Sequence, residues 1–245
     1  MNTINPQIIS IEGNIGSGKS TLVSNLREKF KYNKEFYFLD EPVNIWNTVK
    51  DENGITILEK FYNETDKYAF QFQMMAYISR LSILREAIKN KNTKYIITER
   101  SIYTDANVFA KMLYDDKKIT LIEYTIYTKW FNEFILDVPI TKIIYVKTDP
   151  EIAHNRVIIR NRTGENIPID YLKRCHEYHE NWLENENCKK ITLDGDFNIY
   201  DNPDILSTWI TRIENFIVPN KKLYQDFIEP YKQLIYNYDK YLLYR

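Results

Sequence analysis

Only two cysteines, Cys175 and Cys188, occur in 245 residues, too few for a disulfide framework, so reduced thiols in an intracellular compartment are expected. Long apolar runs are missing too. None approaches the roughly 20 residues that span a bilayer, and the opening MNTINPQ lacks the basic-then-apolar pattern of a secretory leader. Neither charge sign dominates: 33 Lys and Arg face 34 Asp and Glu, for a net charge of −1. With no long single-sign block, nothing global points to nucleic acid or a membrane surface. Glycine is scarce, with six in all, while Asn, Lys, Ile and Tyr are abundant. That bias reads as the base composition of the coding genome, as in an AT-rich virus or microbe, and not as function.

What is present is a regular alternation. Apolar strand-like runs recur as IISIEG at 8–13, EFYFLDE at 35–41, KYIITER at 94–100, KIIYVKT at 142–148 and KITLDG at 190–195. Helical spacing of apolar residues fills the intervals, the longest at 65–90 and 120–137. Short buried-type strands alternating with helices predict an α/β fold with a parallel sheet covered on both faces. Ligands on such sheets sit at the carboxyl ends of the strands. Chemistry is therefore expected at residues 13–20, at Asp40 and Glu41, at Glu99 and Arg100, and near residues 194–197. No repeat or linker interrupts the chain, which reads as one domain over 1–245. A helical extension is expected at about 218–245, where Leu223, Phe227, Tyr231, Leu234 and Tyr238 fall at helical spacing.

Residues 12–20 read EGNIGSGKS directly after the first apolar run. Gly13, Gly18, Lys19 and Ser20 fit G-x-x-x-x-G-K-S/T in the required strand–loop–helix setting. Small residues let backbone N–H groups turn toward phosphate oxygens. Lys19 brings a point charge to the terminal phosphates, and the Ser20 hydroxyl can ligate Mg²⁺. The expected binding segment for a nucleoside triphosphate is thus Gly13, Asn14, Ile15, Gly16, Ser17, Gly18, Lys19, Ser20 and Thr21.

The use made of that triphosphate has to be read elsewhere. A regulatory GTPase needs Asn-Lys-x-Asp late in the chain, and the nearest stretch, Asn220-Lys221-Lys222-Leu223, ends in Leu. A motor or transport ATPase would carry an Asp-rich strand end, whereas strand three ends in Glu99 and Arg100. A small kinase needs a carboxylate beside the acceptor hydroxyl and an Arg-rich lid. Glu41 precedes Pro42, which keeps it extended at a strand tip where it can accept a hydroxyl proton. The lid is expected at about 156–167, RVIIRNRTGENI. There Arg156 and Arg160 share a helix face, Arg162 lies just beyond, and Thr163 with Gly164 should break the helix. Like charges on one face repel unless an anion gathers them, which fits a polyphosphate.

With these parts in view the chain resembles the deoxyribonucleoside kinases, in the branch of deoxycytidine and deoxyguanosine kinases. ISIEGNIGSGKST, EPVNIW, FYNETDKYAFQFQMMAYISR, ITERSIYTDANVFAKML, IIYVKTDP, IIRNRTGENIPIDYL, HEYHENWL and LDGDF carry the resemblance, in the family's order, over about residues 7–200. It implies a P-loop kinase fold: a five-stranded parallel sheet flanked by helices, with an Arg-rich lid. It further implies that Glu41 is the general base toward the sugar 5′-hydroxyl and that Arg100 holds that hydroxyl and steadies Glu41 and the transferring phosphoryl. By the same resemblance Glu99 lies near Mg²⁺, Tyr62 and Glu165 bind the 3′-hydroxyl, Arg160 and Arg162 are lid arginines supported by Arg156, and Asp196 and Phe197 cradle the donor base. Homodimerisation through the helices at 65–90 and 120–137 is also implied.

The base pocket is legible from spacing as well. Gln73, Ala76, Tyr77 and Arg80 fall at i, i+3, i+4 and i+7 on one helix face, and Asp105 and Phe109 at i, i+4 on the next helix. Gln73 offers a donor and an acceptor to a base edge, Phe109 can stack, and Trp46 and Phe72 can form walls. Arg80 and Asp105 can pair across the pocket; in the family this combination resembles the cytidine- and purine-preferring enzymes. Thymidylate kinase is the nearest alternative enzyme, and a silent nucleotide-binding regulator the non-enzymatic one. Glu41 and the intact charged set argue against both.

Overall fold

The structure, a computed structural model, describes residues 5–162, 165 and 167–218. Apolar, largely β-branched runs build five strands: β1 (Gln7–Glu12), β2 (Phe36–Leu39), β3 (Tyr95–Glu99), β4 (Lys142–Lys147) and β5 (Lys189–Asp194). All pair in parallel, in the order β2-β3-β1-β4-β5. This is the expected five-stranded parallel sheet. β1 lies at its centre, with Ile9 facing Ile97 of β3 and Ile11 facing Ile144 of β4, and is buried on both faces. From β1 the chain goes to β2 and β3 on one side and later to β4 and β5 on the other. The carboxyl end of β1 therefore sits where the strand order reverses, a natural ligand crevice.

Helices cover the sheet: α1 (Lys19–Phe30), α2 (Val43–Trp46), α3 (Ile57–Asn63), α4 (Thr65–Ile88), α5 (Ile102–Thr104), α6 (Lys111–Asp115), α7 (Leu121–Phe134), α8 (Pro150–Arg160) and α9 (Ile169–Asn185). Local chemistry marks their starts. Thr120 and Glu123 form a reciprocal capping box at α7, and Asp149 caps α8 with Pro150 in its first turn. The 24-residue α4 buries Phe72, Ala76, Tyr77, Leu81 and Leu84, but also Gln73 and Arg80. Polar side chains buried on an otherwise apolar stripe mark it as a site helix.

One expected relation changes. Residues Asp105–Ala110 form a π-helical turn, with the Lys111 N–H reaching back to Ala106 O, instead of the α-helical i, i+4 stack of Asp105 and Phe109. The wider turn separates the two side chains, so that Asp105 meets Arg80 while Phe109 meets Arg100.

The chain divides into two compact units, residues 1–198 and 199–245, and the first contains the whole sheet. In the second, α10 (Pro203–Ile217) opens on Pro203 and Asp204 and carries Trp209, Ile213 and Ile217 at i, i+4 and i+8. The rest of the expected extension, with its apolar series from Leu223 to Tyr238, lies outside the described residues.

Candidate active site

The loop after β1 takes its shape from glycines that no other residue could replace without displacement. Gly13 has φ 147° and a Cβ there would stand 2.5 Å from Val146 O; Gly16 has φ 80° and a Cβ would stand 2.3 Å from Ala153 O. Gly18, at φ 96°, turns the chain into α1, which starts at Lys19. Asn14 pins the loop by donating from Nδ2 to Leu172 O at 2.8 Å, and its Oδ1 accepts from the Ile15 N–H. Lys19 is buried, and its Nζ donates to Asn14 O at 2.5 Å and Ser17 Oγ at 3.4 Å. Burial and the Arg100 guanidinium lower its ammonium pKa to about 7, against the opposing pull of Glu99, Glu41 and Glu12.

Glu41 follows β2, with Arg27 paired to its neighbour Asp40 and Pro42 leading into α2. Its Oε1 accepts from Arg100 Nη1 at 2.5 Å and from Arg80 Nη2 at 3.2 Å. Burial would raise this carboxyl, but Arg100, Arg80 and Lys19 together bring it down to about 2. Arg80, only 2 % exposed, also donates from Nε to Asp105 Oδ2 at 2.9 Å and from Nη1 to Glu99 O at 2.7 Å. Burial holds the Asp105 carboxyl above its ordinary range despite Arg80. Arg100 itself has a left-handed backbone, φ 58°, and its guanidinium lies 5.2 Å from the Phe109 ring centre. The Tyr62 hydroxyl is pushed upward by burial, then by Glu165 and Glu41, so it lies in the field of both carboxylates.

The base-pocket residues gather beside this network. Trp46 donates from Nε1 to Ser79 Oγ at 2.9 Å and meets Phe72 edge-on at 5.2 Å, while Phe72 stacks on Phe61. Ala76 is buried on the same face of α4. Gln73 is 2 % exposed, and its Oε1 has no hydrogen-bond partner among the described residues. A buried amide oxygen left unmatched is unfavourable, and a base edge would satisfy it.

The arginines around α8 separate into two groups. Arg156 donates to Gly195 O at 2.7 Å, Asp196 O at 3.2 Å and Phe197 O at 3.3 Å, so it anchors the turn after β5. That turn is tight: a Cβ at Gly195 would stand 2.1 Å from Thr148 Oγ1. Asp196 accepts from the Asp149 N–H at 2.7 Å, and Phe197 is half-exposed. Arg160 pairs with Glu165 at 2.5 Å, and Arg162 is exposed just past Asn161, whose left-handed backbone ends α8. The expected helix breakers Thr163 and Gly164 lie outside the described residues.

Ser20 Oγ donates to Glu99 Oε1 at 2.8 Å, bringing a hydroxyl and a carboxylate to one point. Oxygen donors of this kind suit Mg²⁺, which takes few protein ligands and keeps phosphate and water oxygens. The described residues contain no group of three or more His, Cys, Asp or Glu able to hold a metal alone. Sequence reading left one group unassigned: Glu12, Ser101 and Thr104, which form a buried cluster between β1 and α5. The signal available was a carboxylate ending an apolar central strand.

Residues 9–218 match the family model for deoxynucleoside kinase. A fowlpox virus (strain NVSL) protein described as "Probable deoxycytidine kinase" is 37% identical over 218 residues, covering 85% of this chain and 87% of the viral one. Human deoxycytidine kinase is 31% identical over 248 residues, covering 93% and 90%. The mitochondrial deoxyguanosine kinase of Xenopus laevis is 31% identical over 194 residues, covering 71% and 72%.

Proposed function

The chain belongs to the deoxynucleoside kinase family, and we propose that it transfers the γ-phosphoryl of ATP to the 5′-hydroxyl of a deoxynucleoside in nucleotide salvage. The observation that carries this reading is the contact of Glu41 with Arg100, past the ends of β2 and β3 on one side of the phosphate loop. A carboxylate held at about 2 stays ionised at any working pH and can accept the hydroxyl proton as the acceptor attacks. Arg100 orients that hydroxyl and Glu41, and Tyr62 and Glu165 bind the 3′-hydroxyl. Lys19, Arg160 and Arg162 neutralise charge on the phosphates, and the loose transition state of phosphoryl transfer makes such positioning and neutralisation most of the catalysis. Ser20 and Glu99 would hold Mg²⁺ arriving with the triphosphate; when bound, it adds positive charge at the phosphates. Arg156 acts indirectly, by fixing the turn of Asp196 and Phe197 that cradles the donor base.

Deoxycytidine, deoxyadenosine or deoxyguanosine is preferred over thymidine. The closed Arg80–Asp105 pair supports this, because that combination resembles the cytidine- and purine-preferring enzymes of the family. An ADP-release assay with the four deoxynucleosides and with dTMP tests the reading. Turnover with a deoxynucleoside is expected; highest kcat/KM with thymidine overturns the preference, and turnover with dTMP alone overturns the acceptor class.

The kinase works as a homodimer through α4 and α7. Ile78 of α4 and Ile122 and Trp130 of α7 are apolar and 52, 73 and 50 % exposed, which favours a buried partner surface. Sedimentation should give twice the chain mass of 29.5 kDa. Its two free cysteines fit a reducing cytoplasm, and no helix among the described residues is long and apolar enough to cross a membrane.

A further inference from the structure

Glu12 ends the central strand and is wholly buried. Three hydroxyls converge on its carboxylate. Ser10 Oγ and Ser101 Oγ donate to Oε1, the latter at 2.8 Å, and Thr104 Oγ1 donates to Oε2 at 2.5 Å. Ser101 and Thr104 are also the two halves of the capping box that starts α5: each hydroxyl accepts the other residue's backbone N–H, at 3.3 and 3.2 Å. A hydroxyl has one proton to give, and both box hydroxyls give theirs to Glu12. The carboxylate therefore closes the box from below with one oxygen on each member.

This turn immediately follows Arg100, whose backbone is left-handed at φ 58°. Such a conformation persists in a non-glycine residue only where the surroundings impose it. Here the same strand end grips it twice: Ile11 O accepts the Arg100 N–H at 2.9 Å, and Glu12 holds Ser101. Thr98 Oγ1 adds a bond to Arg100 O at 2.8 Å.

We propose that Glu12 is a positioning residue, whose buried carboxylate locks the Ser101–Thr104 box and so keeps Arg100 turned onto Glu41. The phosphate loop and the base are thereby set by one strand end, since Glu12 also begins the loop. Its charge acts on both Lys19 and Arg100, which supports the assignment.

The proposal rests on the kinase reading above, and wild-type turnover tests that reading first. Glu12→Gln keeps the shape and removes the charge. Its kcat should fall at least about tenfold, with KM for the deoxynucleoside within about threefold, because the base and 3′-hydroxyl contacts lie elsewhere. Ser10→Ala leaves both box bonds and should stay within about twofold of wild type. Should Glu12→Gln fail to fold, Thr104→Val against Thr104→Ser decides: Val should lower kcat and Ser, which keeps the hydroxyl, should restore it. A kcat for Glu12→Gln within twofold, a loss confined to KM, or equal losses in Thr104→Val and Thr104→Ser would overturn the proposal. So would a crystal structure of Glu12→Gln, or of Thr104→Val if the former does not fold, with Arg100 still left-handed and on Glu41, whatever the wild-type activity.

Discussion

On the acceptor side, Glu41 meets Arg100 and Arg80, and Arg80 meets Asp105, so two carboxylates and two guanidinium groups balance one another within the interior. On the donor side, Lys19 is equally buried but its hydrogen-bond acceptors are the neutral oxygens of Asn14 and Ser17. The effect on titration is opposite in kind. Glu41 keeps its charge down to about 2, whereas Lys19 holds its proton only to about 7. The acceptor half carries its own counter-charge and is set by the fold; the donor half buries an ammonium on neutral acceptors, and a triphosphate would bring the counter-charge.

The largest expected effect removes the acceptor side's base. Glu41→Gln should lower kcat by about 10²–10⁴-fold while deoxynucleoside binding, measured by calorimetry, changes far less. A near-normal kcat would take Glu41 out of its role. On the donor side, Lys19→Met should lower kcat by about 10²–10³-fold and leave deoxynucleoside affinity untouched; an equal loss in acceptor binding would show that the halves are not separable.

Stability should separate the halves as well. Arg80→Met leaves Asp105 buried without its partner and should cost about 3–5 kcal/mol in urea unfolding. Adding Asp105→Ala should recover part of that loss and open the pocket toward thymidine. If single and double variants unfold alike, the pair is not closed as described.

The smallest effect is a proton. The unfolded chain keeps Lys19 protonated to about 10.5 and the folded chain only to about 7, so the unfolded form holds more protons between these values. Through this group, the ligand-free protein gains stability as pH rises across that window. Triphosphate binding should restore the charge and take up as much as one proton near pH 8, seen as a dependence of calorimetric heat on buffer ionisation enthalpy. Heat independent of the buffer would mean that Lys19 is already balanced.

Much of this arrangement was visible in the residues because it is local. Strand runs, the glycines of residues 13–18 and Pro42 behind Glu41 all act within a few positions, and their elements lie where the patterns placed them. Arg156 illustrates the limit. Its i, i+4 relation to Arg160 pointed toward phosphates, yet it reaches the turn after β5, some 40 residues on, because Gly195 brings that backbone close. The π turn at Asp105–Ala110 was equally hidden, since nothing in DANVFA marks it apart from pull toward two different arginines.

The sequence by itself determined the parallel α/β class, the phosphate loop and the membership of its charged residues, since periodicity, glycine conformation and proline geometry are encoded residue by residue. Tertiary structure alone decided which charge meets which. It joined Arg80 to Glu41 across 39 positions, and Glu12 to Ser101 across 89. The reason is the parallel sheet: neighbouring strands such as β1 and β3 are remote in sequence, so their shared carboxyl ends exist only after the chain has folded.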